Sequence, residues 1–510
     1  MTLNKDNLLT IQIGNYANFI ASHYWNIQNQ NYETTIKKEN EDFEINPECL
    51  YRTIHNFERA SEPVYKPRAL IFDFKSNLGS LNSDGRIHRG TAHQTQEEQV
   101  KNNSDEGIST FIQKPLGKPI NPLDKAVDNS LCGFEYWSDY LYGDYSKNSI
   151  VEIPDSFNSI PNQSTLCYDD GKELLSHSWQ LEELYQDYLR KMFEECDCIS
   201  GFQIFCDSSD LWGGITSMVM DHLSDEFTSK PIITFSSVAY QEHQSNESIY
   251  NQSMSLLELS KSSRIYIPMY LDDTFASKYN PLFSKTNKFH SAAVFASSID
   301  CATLGYRSNY LDSLESFCYQ LSTQPSTNLI SLASSFGSDF QNKFGFGFEK
   351  RTNEPVFPSH TLSEHPLMSH FIPGFHYLPK YGSYSENVTI RGDLYSGESG
   401  YDKVYSMVNQ YLSSKERVLN RKIYNISQPF EMKKNQFPQF LINNHSNNNQ
   451  SNSILTQLQN TPSIHPYLNN LSTSFKSLLQ DKSKLTRLSN DTIEESLESL
   501  LHIADSYLEK

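Results

Sequence analysis

The stretch Leu8-Leu9-Thr10-Ile11-Gln12-Ile13-Gly14-Asn15-Tyr16-Ala17-Asn18-Phe19-Ile20-Ala21-Ser22-His23-Tyr24-Trp25 decides the fold class. Leu8, Leu9, Ile11 and Ile13 make a short apolar strand, Gly14 marks a turn, and Tyr16, Phe19, Ile20, Tyr24 and Ile27 recur at helical spacing. A strand that turns through glycine into a helix is the opening unit of an α/β domain. The pattern continues downstream. Pro67-Arg68-Ala69-Leu70-Ile71-Phe72-Asp73-Phe74 is a compact apolar run carrying one aspartate near its end, as in a buried parallel strand. Leu181, Leu184, Tyr185, Tyr188, Leu189, Met192 and Phe193 form the stripe of an amphipathic helix. Gly201-Phe202-Gln203-Ile204-Phe205-Cys206 is strand-like, Asp207–Gly214 is a turn, Ile215–Phe227 is helical, and Pro231-Ile232-Ile233-Thr234-Phe235 is a further strand. This alternation from residue 8 to 237 predicts helices around a largely parallel sheet.

Outward from that unit, residues 1–279 read as one N-terminal α/β domain with polar insertions near 28–48 and 82–118, the latter without periodicity. Residues 280–303 read as a mostly apolar central helix running through the core, and residues 304–400 as a second α+β domain of short strands and long loops. Residues 401–510 read as a helical C-terminal region, with helices over Tyr401–Ile423 and Thr492–Leu508 and a disordered Asn-rich tract at 443–452. A chain of 510 residues accommodates that many units. Its aromatic share of 13% is too high for a wholly disordered chain. The net charge of −19 opposes a protein-wide basic surface, so nucleic acid is excluded as the expected partner.

Eight cysteines at irregular spacing are too sparse for a disulfide scaffold and suit a reducing compartment. The first residues lack an apolar core behind a basic region, and the first arginine is Arg52, so neither a signal peptide nor an Arg-rich presequence is expected. The most apolar later stretch, Ser291–Tyr306, is broken by Asp300 and is too short to span a bilayer. No transmembrane segment is expected, and any membrane association would be peripheral.

Three segments, in order, resemble the nucleotide-binding half of the tubulin superfamily. Ile11–Trp25 is similar to the first strand and helix of tubulins, whose Gly, Asn, Ile and Trp fall on Gly14, Asn18, Ile20 and Trp25. Tyr65–Asp73 resembles the strand before the second phosphate-side loop, with its Pro-Arg-Ala and terminal Asp. Gly201-Phe202-Gln203 precedes the place of the family's glycine run, and Tyr250-Asn251 resembles a later turn. Within the superfamily, Ala21–Trp25, Trp137-Ser138-Asp139-Tyr140-Leu141 and Gly201–Phe227 are most similar to the Misato family, a divergent branch, over roughly residues 8–310. The resemblance implies a tubulin-like fold, a role in mitochondrial distribution and morphology, and association with the cytosolic chaperonin and tubulin-related proteins. It places the protein in the cytoplasm and, peripherally, on the mitochondrial outer membrane.

By the same resemblance, Gly14, Asn15, Asn18, Asp73, Gly213 and Gly214 are the remnants of a GTP site. Gly14 and Asn15 suit a phosphate cradle, which needs backbone N–H groups at a helix start, although Gly14 reads equally as a tight turn without ligand. Asn18 reads as a base or ribose contact, or as a residue on a polar helix face. Where tubulins carry a nearly continuous glycine run, this chain has Ser208-Ser209-Asp210-Leu211-Trp212-Gly213-Gly214. Asp210 would repel phosphate, Trp212 would fill its space, and the segment reads first as an ordinary helix start with Asp210 near the N-terminus. Asp73 matches an acid near phosphate and metal, but Lys75 stands where the family is acidic again. Lys75 could instead meet a phosphate and offset Asp210. Asp312 lies near the place of the acid that activates hydrolysis across a polymer contact, without the surrounding motif.

His360, His365, His370 and His376 read as surface loop histidines, because their spacing puts no pair on one helical face; Cys196, Cys198 and Cys206 read as buried thiols lacking a second ligand pair. No metal site and no catalytic residue are expected, and GTP, if bound at all, is bound weakly. The expected function is that of a non-enzymatic tubulin-like protein of mitochondrial organisation. The alternative is a GTP-binding, polymer-forming or switching GTPase.

Overall fold

The computed structural model describes residues 7–37, 44–54, 64–87, 134–155, 166–196, 198–241, 244–271, 283–309, 312–336, 347–348, 355–356, 368–375, 383–392, 418–428, 436–438, 441, 454–480 and 490–508. The first strand, β1 (Asn7–Ile13), is followed by helix α1 (Asn15–Lys37), the hairpin β2 (Tyr51–Ile54) and β3 (Val64–Pro67), then β4 (Ala69–Phe74) and β5 (Ile150–Ile153). Helices α2 (Tyr168–His177) and α3 (Trp179–Glu194) lead into β6 (Ile199–Asp207), α4 (Trp212–Glu226), β7 (Ile232–Val238), α5 (Asn246–Ser262) and β8 (Ile265–Tyr270). The six strands form one parallel sheet in the order β5-β4-β1-β6-β7-β8. Both faces are covered, as a parallel sheet requires. Leu9, Ile11 and Ile13 of β1 join one core, while Leu8 joins the other, which includes Tyr16 and Phe19 of α1.

Helix α6 (Lys288–Arg307) carries the second half of the molecule, with every residue from Phe289 to Arg307 buried. It begins at Lys288 rather than near 280, because the Asn287 side chain accepts from Phe289 N (3.0 Å) and caps the helix there. Helix α7 (Leu314–Leu321) precedes β9 (Ser331–Phe336), a two-residue ribbon of β10 (Gly347–Phe348) with β11 (Pro355–Val356), then β12 (Ser369–His370), β13 (Ser383–Arg391), β14 (Val418–Ile426) and β15 (Ile454–Asn460). The second sheet has the order β12-β9-β15-β13-β14, antiparallel except for β13 with β14. Helices α8 (His465–Gln480) and α9 (Asn490–Ser506) bury Leu468, Phe475 and Leu500, and the turn after α9 buries Tyr507, in the core on the α4–α5 side of the first sheet. The two sheets are joined by main chain: Tyr266 N donates to Asn328 O (2.9 Å) and Ile330 N to Tyr266 O (2.9 Å).

Besides the later start of the central helix, further expectations are corrected: the C-terminal region read as helical supplies strands β14 and β15 to the second sheet, next to the part read as the second domain. The polar run after residue 28 continues α1 to Lys37 instead of leaving the domain. Gln28, Asn29, Gln30 and Asn31 are buried, and their polarity is used internally: Gln28 Nε2 donates to Asp300 Oδ1 (2.7 Å), Tyr51 OH donates to Asn29 Oδ1 (2.7 Å), and Gln30 Nε2 donates to Gln436 Oε1 (2.8 Å). Residues 418–423, read as the end of a helix, form a strand because β13 pairs with them in register from Ser383↔Val418 to Arg391↔Ile426. Most of the 82–118 insertion, residues 401–417 and the tract 443–452 lie outside the described residues.

Candidate functional site

In the strand order β5-β4-β1-β6-β7-β8 the connections reverse direction between β1 and β6, and the crevice of such a sheet lies beyond the strand C-termini at that point. Gly14 follows β1 there, Asp73 stands in β4, and Asp207 ends β6. Gly14 has φ +109°, and a methyl group at its Cα would come within 2.8 Å of both Asp207 Cβ and Trp212 Cγ. Glycine is therefore required twice, by backbone and by room. The room beside this turn is taken by the Asp207 side chain and an indole. Trp212 is buried and meets the Phe74 ring edge-on, with centroids 5.0 Å apart.

The glycine pair serves packing. Gly213 and Gly214 lie inside α4, where added methyl groups would come within 1.9 Å of Ser255 Oγ and of Tyr168 O respectively. They let α4 close on α5 and α2. Asp210 behaves as a helix-start residue: its Oδ1 accepts from Trp212 N (3.1 Å). Asp207 Oδ1 accepts from Ser209 N (3.1 Å) and Ser209 Oγ (2.6 Å). Burial pushes both carboxyls up, and Asp210 stands well above the usual range because the Asp207 charge adds to its burial. Lys288, at the start of α6, offsets both and donates from Nζ to Asn15 Oδ1 (3.0 Å).

Asp73 is a structural hub. It is fully buried, and its carboxylate accepts four N–H groups: Asn18 Nδ2 (2.8 Å) and Trp137 Nε1 (2.9 Å) on Oδ2, Phe74 N (2.9 Å) and Asn77 Nδ2 (2.8 Å) on Oδ1. Burial raises its pKa to about 6 against the opposing effect of those donors. Asn18 also donates to Phe72 O (3.1 Å), so its amide nitrogen is committed to the sheet edge, while its buried Oδ1 accepts no hydrogen bond. Lys75 is exposed on a short 3-10 turn, Lys75–Asn77. Asn77 and Lys288 were not singled out by sequence reading, and Trp137 entered only through the Misato-like segment Trp137–Leu141, with no role attached; its place beside a buried acid reveals that role.

Asp312 accepts from Tyr424 OH (2.6 Å) and pairs with Lys422, both on β14. His370 stacks on Phe375 at 3.7 Å and bonds Ser331 Oγ (2.9 Å); His360, His365 and His376 lie outside the described residues. Cys206 is buried, Cys196 is partly buried, and Cys198 is exposed, which corrects the reading of all three as buried thiols: Cys198 sits at the chain's entry into β6. Among the described residues no three His, Cys, Asp or Glu side chains cluster as metal ligands.

Two family models match in tandem: the Misato Segment II tubulin-like domain over residues 6–124 and a tubulin domain over residues 130–308. The chain is 27% identical over 342 residues to Protein misato homolog 1 of Homo sapiens, covering 59% of each. It is 26% identical over 365 residues to Protein misato of Drosophila melanogaster, covering 61% of each, and 25% identical over 324 residues to Protein DML1 of Coccidioides immitis, covering 60% of each. The similarity thus spans about three-fifths of the length of these curated relatives. With a parallel sheet, a buried central helix and a second sheet behind both matches, the chain belongs to the Misato family, a divergent branch of the tubulin superfamily.

Proposed function

We propose that this chain is a non-enzymatic, tubulin-like scaffold, a pseudo-GTPase. The observation that supports this reading is the seating of Asp207 and Trp212 against Gly14, which removes charge compatibility and room from the phosphate position. Asp73 supports it too, because a carboxylate offers about four lone-pair sites and all are taken by N–H donors. Calorimetric titration with magnesium and GTP tests the reading, and neither saturable heat nor phosphate release is expected. Replacing Asp210 and Trp212 by glycine should raise the affinity for GTP while leaving hydrolysis poor. A sub-micromolar affinity of the unaltered chain, with phosphate release lost in Asp73→Asn, would replace the scaffold by the GTPase.

The place of action follows from family resemblance: the cytoplasm and the cytosolic face of the mitochondrial outer membrane, in mitochondrial distribution and morphology, with the cytosolic chaperonin and tubulin-related proteins as partners. Among the described residues no helix is long and apolar enough to cross a membrane, which suits peripheral attachment. Alkaline carbonate should release the mitochondrial fraction, and depletion should alter mitochondrial distribution. Retention in the carbonate pellet, or protection from protease in intact mitochondria, would overturn the peripheral assignment.

A further inference from the structure

Where the C-terminal ends of β7 and β8 meet the C-terminal helices, a cavity of about 150 Å³ opens on the face covered by α5 and α8. Separate parts of the chain build it, among them the turn after β6 through Ser208. Ser236 and Val238 of β7, and Tyr266, Pro268 and Tyr270 of β8, are alternate residues on one face of the sheet. Gln252 comes from α5, and Tyr467 and Leu471 from α8. The turn after β12 closes one side through Gly374, whose φ of +66° is a left-handed conformation that glycine adopts without strain. The cavity is thus walled by the first sheet, its helix layer, the second sheet and the C-terminal region together.

Its lining has two properties that define a ligand. No acidic, basic or histidine side chain contributes, although the chain as a whole carries a net charge of −19. A charged ligand would therefore be buried without a partner, which is costly. The polar groups that do line it have part of their capacity committed elsewhere. Gln252 Nε2 donates to Ser248 Oγ (2.9 Å), Ser208 Oγ donates to Ser237 O (3.2 Å), and Tyr266 OH donates to Ser236 Oγ (2.7 Å). What remains at these three is an amide oxygen, two hydroxyl oxygens and the second N–H of Gln252, and the amides of Gln244 and Asn470 add both donors and acceptors to the lining. Tyrosine rings and proline supply flat apolar walls. Burial pushes the Tyr266 and Tyr467 phenols up, so both stay neutral. An apolar cavity of about this volume accepts benzene.

We propose that this cavity is a binding site for a small neutral molecule of single-ring size that carries both N–H donors and carbonyl acceptors, of the cyclic amide class. The cavity meets the Gly14 crevice only through Ser208, which follows Asp207; its other lining residues lie on β7, β8, the turn before and the body of α5, the turn after β12, and α8. The class is set by neutrality, ring-sized volume, flat walls and uncharged amide and hydroxyl groups that both donate and accept.

The test uses the full chain and three probes followed by calorimetry and ligand-observed NMR: uracil as the neutral cyclic amide, benzene as the apolar ring of similar size, and orotate as the charged analogue of uracil. Saturable binding of uracil is expected, with benzene and orotate at least tenfold weaker. Gln252→Leu should weaken uracil about tenfold, the loss of one hydrogen bond. Ser474→Trp, at a partly exposed lining position on α8, should abolish binding by filling the space while thermal melting stays near that of the unaltered chain. Because the two variants alter different elements, a fold defect in one leaves the other as the test. Absence of uracil binding, equal binding of benzene, or uracil binding unchanged in both variants would each overturn the proposal.

Discussion

Arg391 of the second sheet donates from Nη1 to Asp300 Oδ2 of the central helix at a point where neither side chain has any exposed surface. The other oxygen of Asp300 accepts from Arg307 Nη2 (2.7 Å) and Gln28 Nε2 (2.7 Å), while Arg391 Nη2 reaches Asn31 Oδ1 (2.6 Å). One carboxylate thus joins α1, α6 and β13. Each added partner offsets part of the desolvation that a buried ion pair incurs.

Removing one member leaves the rest charged and buried. Asp300→Asn and Arg391→Met are each expected to lower stability by roughly 3–5 kcal/mol. The double variant Asp300→Asn with Arg391→Met should lose clearly less than the sum of the single losses, since Arg391 no longer adds an unpaired buried charge to the one that Arg307 becomes without Asp300. Urea unfolding monitored by circular dichroism measures this, and strict additivity would count against the pairing.

Asp73 holds its proton up to about pH 6 in the folded chain, against 3.8 ordinarily. Between those values the native state binds more protons than the unfolded state, so the Asp73 contribution to stability falls as pH rises from about 4 to 6, by roughly 3 kcal/mol in all. Asp73→Asn abolishes that titration but forfeits an acceptor in the hub. The variant should therefore be less stable than the parent, with its disadvantage largest near pH 4 and smaller at pH 7. Paired denaturation curves across that range check it.

His23 lies among the rings of Tyr140, Phe289 and Phe437, and its Nε2–H donates to Phe289 O (3.1 Å). Burial lowers its pKa from 6.5 to about 3, and that of His290 to about 4. The unfolded chain takes up these protons below pH 6.5 and the folded chain does not, so stability is lost as pH falls from 6.5 towards 4. His23→Gln should flatten that slope by up to about 1.4 kcal/mol per pH unit. An unchanged slope would show that His23 titrates normally.

Gly213→Ala would drive its methyl group into Ser255 Oγ, whereas Gly214→Ala would meet the backbone oxygen of Tyr168. A hydroxyl can be removed and a main-chain carbonyl cannot. Adding Ser255→Ala should rescue most of the stability lost in Gly213→Ala, while no single side-chain change rescues Gly214→Ala, which should lose on the order of 1–3 kcal/mol or more. Thermal melting of the three variants and the double decides it.

The sheet was legible because hydrophobic periodicity is local: Leu8–Ile13, Ala69–Phe74 and Ile232–Phe235 announce buried strands in any context. The site was half legible. Gly14, Asn18, Asp73 and Asp210 could be picked out in sequence, and the structure brings them to one sheet edge. Their duties could not be read, since Asp73 is defined by Trp137, 64 residues away, and Gly213 by Ser255 across a helix interface. Polarity misled at Gln28–Asn31, where amides buried against Asp300, Tyr51 and Arg391 have the composition of a solvated loop. Spacing misled after residue 418, where the strand is fixed by its neighbour β13 rather than by its own pattern.

The buried amide face of α1 also fixes the order in which this chain can be completed. Gln30 finds Gln436 across 406 positions and Asn31 finds Arg391 across 360. On a ribosome adding about 5–20 residues per second, the first helix is made many seconds before those partners exist. Until Gln436 has emerged, a segment destined for the deepest interior must keep its side chains in water or in temporary company. The nascent N-terminal half is therefore obliged to wait, exposed, for its own C-terminal third.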